Sequence, residues 1–195
     1  MSQDEQPVFR PAGGPGLLLR PWEPEDAQVL ADSCLDPAIQ RWNRPGRLSV
    51  EEARARIARW RGRWQSEEAA VWAIHRFTEQ RPMGMIGVGD IDLAGGSGEL
   101  VYWLLPGGRG SGAMVDATVR VSRWALEELG LHRLRITHSV ANTASCRVAE
   151  KAGFALEGTM RSALLHADGW HDEHLHARIQ GDPWPVDELR TSAGR

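Results

Sequence analysis

The sequence predicts an α/β protein built on one mixed, mostly antiparallel sheet of about six or seven strands, flanked by about four helices. Three observations lead there. Apolar stretches at residues 69–77, 82–93 and 98–105 follow one another across turn-rich joints, EQRP and AGGSG, as strands of a meander do. A glycine-rich stretch, LLPGGRGSGAMVDA (Leu104 to Ala117), then leads into a segment of helical periodicity and another strand, the pattern of a right-handed crossover between parallel neighbours. The third is composition: 195 residues, 42% hydrophobic and 25% charged, suffice for one domain with a sizeable core.

The elements follow in order. Residues 1–16 are polar and rich in Pro and Gly and read as a flexible lead-in to a domain spanning 17–181. LLLRPW (17–22) is the first strand, stopped by Pro21 and Pro24, and a short helix follows with Ala27, Leu30, Ala31 and Cys34 on one face. In SVEEARARIARWRGRWQ, Ser49 and Glu52 form a capping box, Ala53, Ile57, Trp60 and Trp64 mark one helical face, and the arginines line a solvated one. After the meander, Met114, Ala117, Val121, Trp124 and Ala125 give a helix that Gly130 ends. HRLRITHSV (132–140) is a strand that should lie parallel to Leu100–Leu105. NTASCRVAEKAG is a helix capped by Asn142 and ended by Gly153, FALEG begins a strand, and DEHLHARI is the last one. Residues 182–195 read as an irregular, solvated tail.

A net charge of −3 argues against a protein that coats nucleic acid, which needs a basic excess. No segment has 18 apolar residues in a row, and no charged-then-apolar leader opens the chain, so a cytoplasmic protein without membrane contact is expected. Cys34 and Cys146 are too few and too distant for a disulfide framework.

The glycine loop has two readings, a tight turn or an anion cradle. A Walker loop needs a lysine, and the only lysine of the chain is Lys151. A dinucleotide fingerprint starting at Gly110 needs glycine or alanine where Val115 stands. Bare amides at a helix N-terminus beside Arg109 would suit a diphosphate, while ligand-free glycine turns of this kind are common.

Two motifs carry a family resemblance. Arg109-Gly110-Ser111-Gly112-Ala113-Met114 resembles the [QR]-x-x-G-x-[GA] coenzyme A loop of the GCN5-related N-acetyltransferases (GNAT superfamily). HSVANTASCRVAEKAGFALEG resembles that superfamily's second motif at Asn142, Ser145, Val148, Lys151, Gly153, Phe154, Glu157 and Gly158, and TMRSALLHADGWHDEHLHARI is similar to the branch of ribosomal-protein N-terminal (Rim-type) acetyltransferases. The resemblance implies a GNAT fold with a parallel-strand splay, and acetyl-CoA as cosubstrate with no metal. It also implies direct transfer of acetyl to an amine, a protein N-terminus or a small molecule, in a ternary complex without a covalent enzyme intermediate. A homodimer is compatible with it.

It further implies that backbone at Trp103, Leu104 and Leu105 pairs with pantetheine while Arg109, Gly110, Ser111, Gly112, Ala113 and Met114 hold the pyrophosphate, with Asn142 contacting the pantetheine arm. Met114 departs from the family's small residue and must turn away from the phosphate or narrow the site. Where many relatives carry a thiolate-protonating tyrosine, Ala149 stands, so Ser145 or a water is expected to take that role. Glu99 is the expected base, with Asp90 and Asp92 behind it, and the glutamate that the Rim-type branch often has within Ser162 to His166 is missing from SALLH. These departures leave a catalytically silent acyl-CoA sensor as the alternative. Trp42, Trp60, Trp64 and Trp170 are candidates for the acceptor pocket, and Cys146 reads as a small buried residue. In HDEHLH, alternation sends His174 and His176 to one face and His171 to the other, so that run alone makes no metal cluster.

Overall fold

The structure, a computed structural model, describes residues 5–11 and 16–185. Its strands are β1 (Leu17–Pro21), β2 (Ala70–Arg76), β3 (Gly84–Asp92), β4 (Ser97–Leu104), β5 (Arg133–Ser139), β6 (Ala155–His166) and β7 (Gly169–Ile179). The helices are α1 (Ala27–Ser33), α2 (Pro37–Asn43), α3 (Val50–Gln65), α4 (Ala113–Arg123) and α5 (Thr143–Lys151). The seven strands form one sheet in the order β1-β2-β3-β4-β5-β7-β6, antiparallel except at β4 and β5. The expected fold class therefore holds, with five helices among the described residues where four were expected. The extra one is α2, whose cap is Asp36: its carboxylate accepts from the amides of Ala38 and Ile39, and Pro37 occupies the first turn.

Local chemistry accounts for the rest. Ser49 and Glu52 do form a capping box on α3. α4 runs on into a π turn, Trp124–Glu128, and Gly130 at φ 82° ends it. Two cores pack against the sheet. One gathers Trp72, Ile86, Leu100, Val121, Trp124, Leu134 and Phe154, and the other holds Trp22, Leu30, Ala53, Ile57 and Trp103 under α1 and α3.

Both ends of the domain are tied down more than their composition suggests. Within the lead-in, Gln6 Nε2 donates to Val71 O, Trp72 Nε1 donates to Pro7 O at 2.7 Å, and Phe9 bridges Leu19. Residues 1–4 and 12–15 of that segment, and 186–195 of the tail, lie outside the described residues. At the other end Trp184 is buried; Arg178 stacks on its ring at 3.8 Å and donates to the carbonyls of Gly153, Asp182 and Pro183. Gly153 has φ 79°, and a Cβ there would run into that guanidinium, which explains a glycine at the end of α5.

One feature of the sheet positions the site. β4 and β5 pair only at Ser97–Glu99 with Arg133–Arg135, upstream of the span expected from the sequence, and diverge beyond it. A seam of unpaired strand backbone results.

Candidate active site

The seam opens beside both motifs. Leu105 N–H donates to Met83 O at 2.9 Å, so the odd-numbered residues of β4 face β3 and the even ones face the gap. Of the stretch expected to pair with pantetheine, only Leu104 turns its backbone into the gap; Trp103 pairs with Met85, and Leu105 is engaged as above. Tyr102 and Leu104 also have occupants on their carbonyls, Asn43 Nδ2 and Arg109 Nε, each at 2.9 Å.

The glycine loop ends at α4 without a side-chain cap. Gly110 and Gly112 have φ 73° and 79°, a conformation costly for other residues, and a Cβ on either would meet only open space. The first helical bond of α4 runs from Asp116 N–H to Gly112 O, and Gly112 has no side chain to cap the amides of Ala113, Met114 and Val115. Ser111 Oγ donates to Gly108 O. Met114 packs into the main core, only 5% exposed, and also lines the cavity beside the loop. Arg109 is engaged elsewhere: its guanidinium meets Asp36 at 2.6 Å, and this bond with the two α2 amides keeps the Asp36 carboxyl below its usual value despite partial burial.

A cavity of about 380 Å³ follows this loop and is bordered by Leu104, Gly110, Gly112, Asn142, Ser145 and Lys151, residues of both motifs. On the other face of the seam lies a second cavity, of about 350 Å³, with Glu99, Thr137, Leu164 and Glu173 in its walls. Trp42, Asn43, Tyr102, Asn142 and Ser145 border both cavities. At this neck Asn142 Oδ1 accepts from Ser145 N–H, capping α5, and Ser145 Oγ lies 2.8 Å from the Tyr102 hydroxyl. Burial pushes the Tyr102 phenol up to about 12, so it stays protonated. Tyr102 is the single tyrosine of the chain and arrives from β4, not from the helix position occupied by Ala149. Its even position on β4 could have signalled this contact.

The carboxylates separate clearly. Glu99 accepts from two nitrogens of Arg135 at 2.8 Å and from Thr137 Oγ1 at 2.6 Å. Asp90 is an exposed partner of Arg135 at a bulge with φ 48°, and Asp92 accepts from Gly95 N–H in the following turn; neither borders the second cavity. Glu173, inside HDEHLH, is only 7% exposed and, unlike Glu99, its carboxylate has no side-chain hydrogen bond or ion pair among the described residues. Burial raises its carboxyl above the usual glutamate value, and the Glu99 charge acts in the same direction. Of the four tryptophans expected at the acceptor side, only Trp42 is there, edge-on to His166 and His171. Trp60 and Trp64 pack on Trp22 and Trp124, and Trp170 projects into solvent at 64% exposure.

The chain matches the acetyltransferase (GNAT) domain family over residues 16–155. It belongs to that family. It is 30% identical over 135 residues, 69% of this chain and 75% of the relative, to a Bacillus subtilis (strain 168) protein named "Probable N-acetyltransferase YjcK". It is 31% identical over 103 residues to the ribosomal-protein-serine acetyltransferase of Escherichia coli (strain K12); that match covers 53% of this chain and 58% of the relative, little over half its length. The fold matches RimL, the ribosomal L7/L12 alpha-N-protein acetyltransferase solved with coenzyme A, at a TM-score of 0.75 and 24% identity, over 86% of this chain and 96% of that one. These likenesses put the chain among the GNAT acyltransferases. Among its described residues no helix is long and apolar enough to cross a membrane.

Proposed function

We propose that this GNAT protein transfers acetyl from acetyl-CoA to a primary amine, a protein N-terminus in the first instance, by direct attack in a ternary complex. The observation that carries the reading is the pair of cavities meeting at Ser145 and Tyr102, one walled by the glycine loop and the other by buried carboxylate. Coenzyme A occupies the first: the amides from Gly110 to Met114 take the pyrophosphate, Lys151 adds charge, and pantetheine runs along the gap at Leu104 and Asn142. Arg109 supports from behind, its charge committed to Asp36.

The amine enters the second cavity. Glu173, buried and short of partners, is a better proton acceptor than Glu99, whose lone pairs are filled by Arg135 and Thr137; Glu99 instead holds the cavity wall and supplies negative potential for a cationic substrate. As the amine nitrogen bonds the acetyl carbon, Glu173 takes its proton, and unpaired β4 amides are the donors available to the developing oxyanion. The carbon–sulfur bond then breaks, and the departing thiolate takes the Ser145 hydroxyl proton, which solvent replaces on the serine as Glu173 releases to solvent the proton it took from the amine. Tyr102 is a positioning residue: donating to Ser145 Oγ, it turns the serine proton outward.

Thiol release from acetyl-CoA, followed by mass spectrometry of a panel of N-terminal peptides and small amines, tests this. Saturable, amine-dependent release is the expected result. Tight coenzyme A binding without turnover on any amine would favour a silent acyl-CoA sensor.

A further inference from the structure

Beneath the first turn of α5, on the sheet face opposite the Glu173 side chain, lies a cluster that the transfer chemistry does not use, although His138 also borders the second cavity. His138 comes from β5, His174 and His176 from β7, and Cys146 from α5, and one ligand atom from each falls within 4.8 Å of all the others. The alternation read from HDEHLH is realised, since His171 stacks on His166 on the far side. Residues remote in sequence complete the group: His138 sits opposite His174 in the β5–β7 ladder. Cys146, expected to be small and buried, is instead half-buried.

We propose that His138, Cys146, His174 and His176 form a tetrahedral site for a zinc-class divalent ion, clamping α5 to the sheet. Cys146 Sγ lies 4.0 Å from His174 Nδ1 and 3.9 Å from His176 Nε2. Zinc ligands at bond lengths of about 2.0–2.3 Å stand roughly 3.3–3.6 Å apart, so closure by about one ångström, within reach of side-chain rotation, would complete the coordination. Two rings already have their remote nitrogens fixed. His138 Nδ1 donates to Ser139 O at 2.9 Å and His176 Nδ1 lies 3.4 Å from Phe154 O, the outer-shell bonds that turn an Nε2 lone pair toward a metal.

A second observation points to a missing partner. His138 is 6% exposed, and its Nε2 is buried with no hydrogen-bond partner. One thiolate with three imidazoles suits zinc or cobalt, not magnesium or calcium. The half-buried faces of Cys146 and His174 offer an entry path. With all four positions filled by protein, the ion would hold the helix that carries Asn142 and Ser145 and take no part in acetyl transfer.

The test is cobalt titration of the full chain, without an affinity tag and stripped with chelator. Expected are intense visible bands of tetrahedral cobalt and a near-ultraviolet thiolate charge-transfer band, saturating at one ion per chain and displaced by zinc. Cys146→Ser should remove the charge-transfer band, and His174→Ala should weaken binding at least tenfold. Both changes fall at half-buried positions, and circular dichroism would verify that each variant is folded. Zinc should raise the melting temperature of the unaltered chain and not that of Cys146→Ser. Weak octahedral cobalt bands, or spectra that survive both substitutions, would overturn the site.

Discussion

The two cavities that meet at Ser145 are built on different principles. The side proposed for coenzyme A is made of backbone: the αL turns at Gly110 and Gly112, uncapped α4 amides and the edge of β4 that no strand pairs with. The acceptor side is made of side chains from separate elements, Trp42 of α2, Glu99 of β4, Thr137 of β5, Leu164 of β6 and Glu173 of β7. A backbone cradle constrains a few small residues and otherwise tolerates change, whereas each acceptor wall residue can vary alone. On the proposed function, one half recognises a common cosubstrate while the other is free to set specificity.

Substitutions can break that division. The largest effect is expected at Glu173: Glu173→Gln should lower kcat by about 10²-fold or more and leave coenzyme A affinity unchanged, because general-base removal touches only the chemical step. The ascending limb of the pH profile should lie above the ordinary glutamate range, as burial of the Glu173 carboxyl dictates, and should vanish in that variant; steady-state kinetics across pH would measure both. Next comes Gly112→Val, which forces a β-branched residue to φ 79° at the loop mouth. A strain of about 1–3 kcal/mol should appear as a roughly 5- to 150-fold rise in the coenzyme A dissociation constant by calorimetry. If it lowered kcat alone, the backbone-cradle description would fail.

The neck should respond less. Ser145→Ala is expected to cost about tenfold in kcat and Tyr102→Phe less, and their double variant should cost little more than Ser145→Ala, because the two hydroxyls act as one unit. Additive losses would separate them. The smallest effect is on stability. Glu173 has a raised folded-state pKa, so the protonated form stabilises the fold at low pH and that stabilisation is lost as pH rises through its folded value. Glu173→Gln should accordingly melt about 2–4 °C higher than the parent at pH 8 and nearly the same at pH 4, by calorimetric scans.

The contrast also explains what could be read from the sequence. A glycine turn and a capped helix demand residue types in a fixed local order, so the positive-φ turns at Gly110 and Gly112 and the Asn142 cap of α5 were legible as local structure. The meander and the Gly130 and Gly153 stops were legible for the same reason. The acceptor side has no local order to read. Glu173 lies between two histidines in a strand, and its meaning comes from burial; Tyr102 acquires its role because β4 diverges from β5 just where its side chain meets α5. Trp60 and Trp64 follow a helical face correctly, yet that face packs into the core. Arg109 was expected to point at an anion, but Asp36, on a helix with a weak apolar stripe, takes its charge. The lead-in misled by composition, since Gln6 and Pro7 are held by bonds to Val71 and Trp72 that no local pattern announces.

The shared neck has a pharmacological consequence. Since five residues border both cavities, a conjugate joining a coenzyme arm to an amine arm through a short acyl spacer would thread one continuous channel. Such a molecule loses translational freedom once while drawing on both surfaces, so its affinity should approach the product of its halves. The coenzyme arm would bind any close relative; selectivity among paralogues would reside in the arm that reaches Trp42 and Glu173.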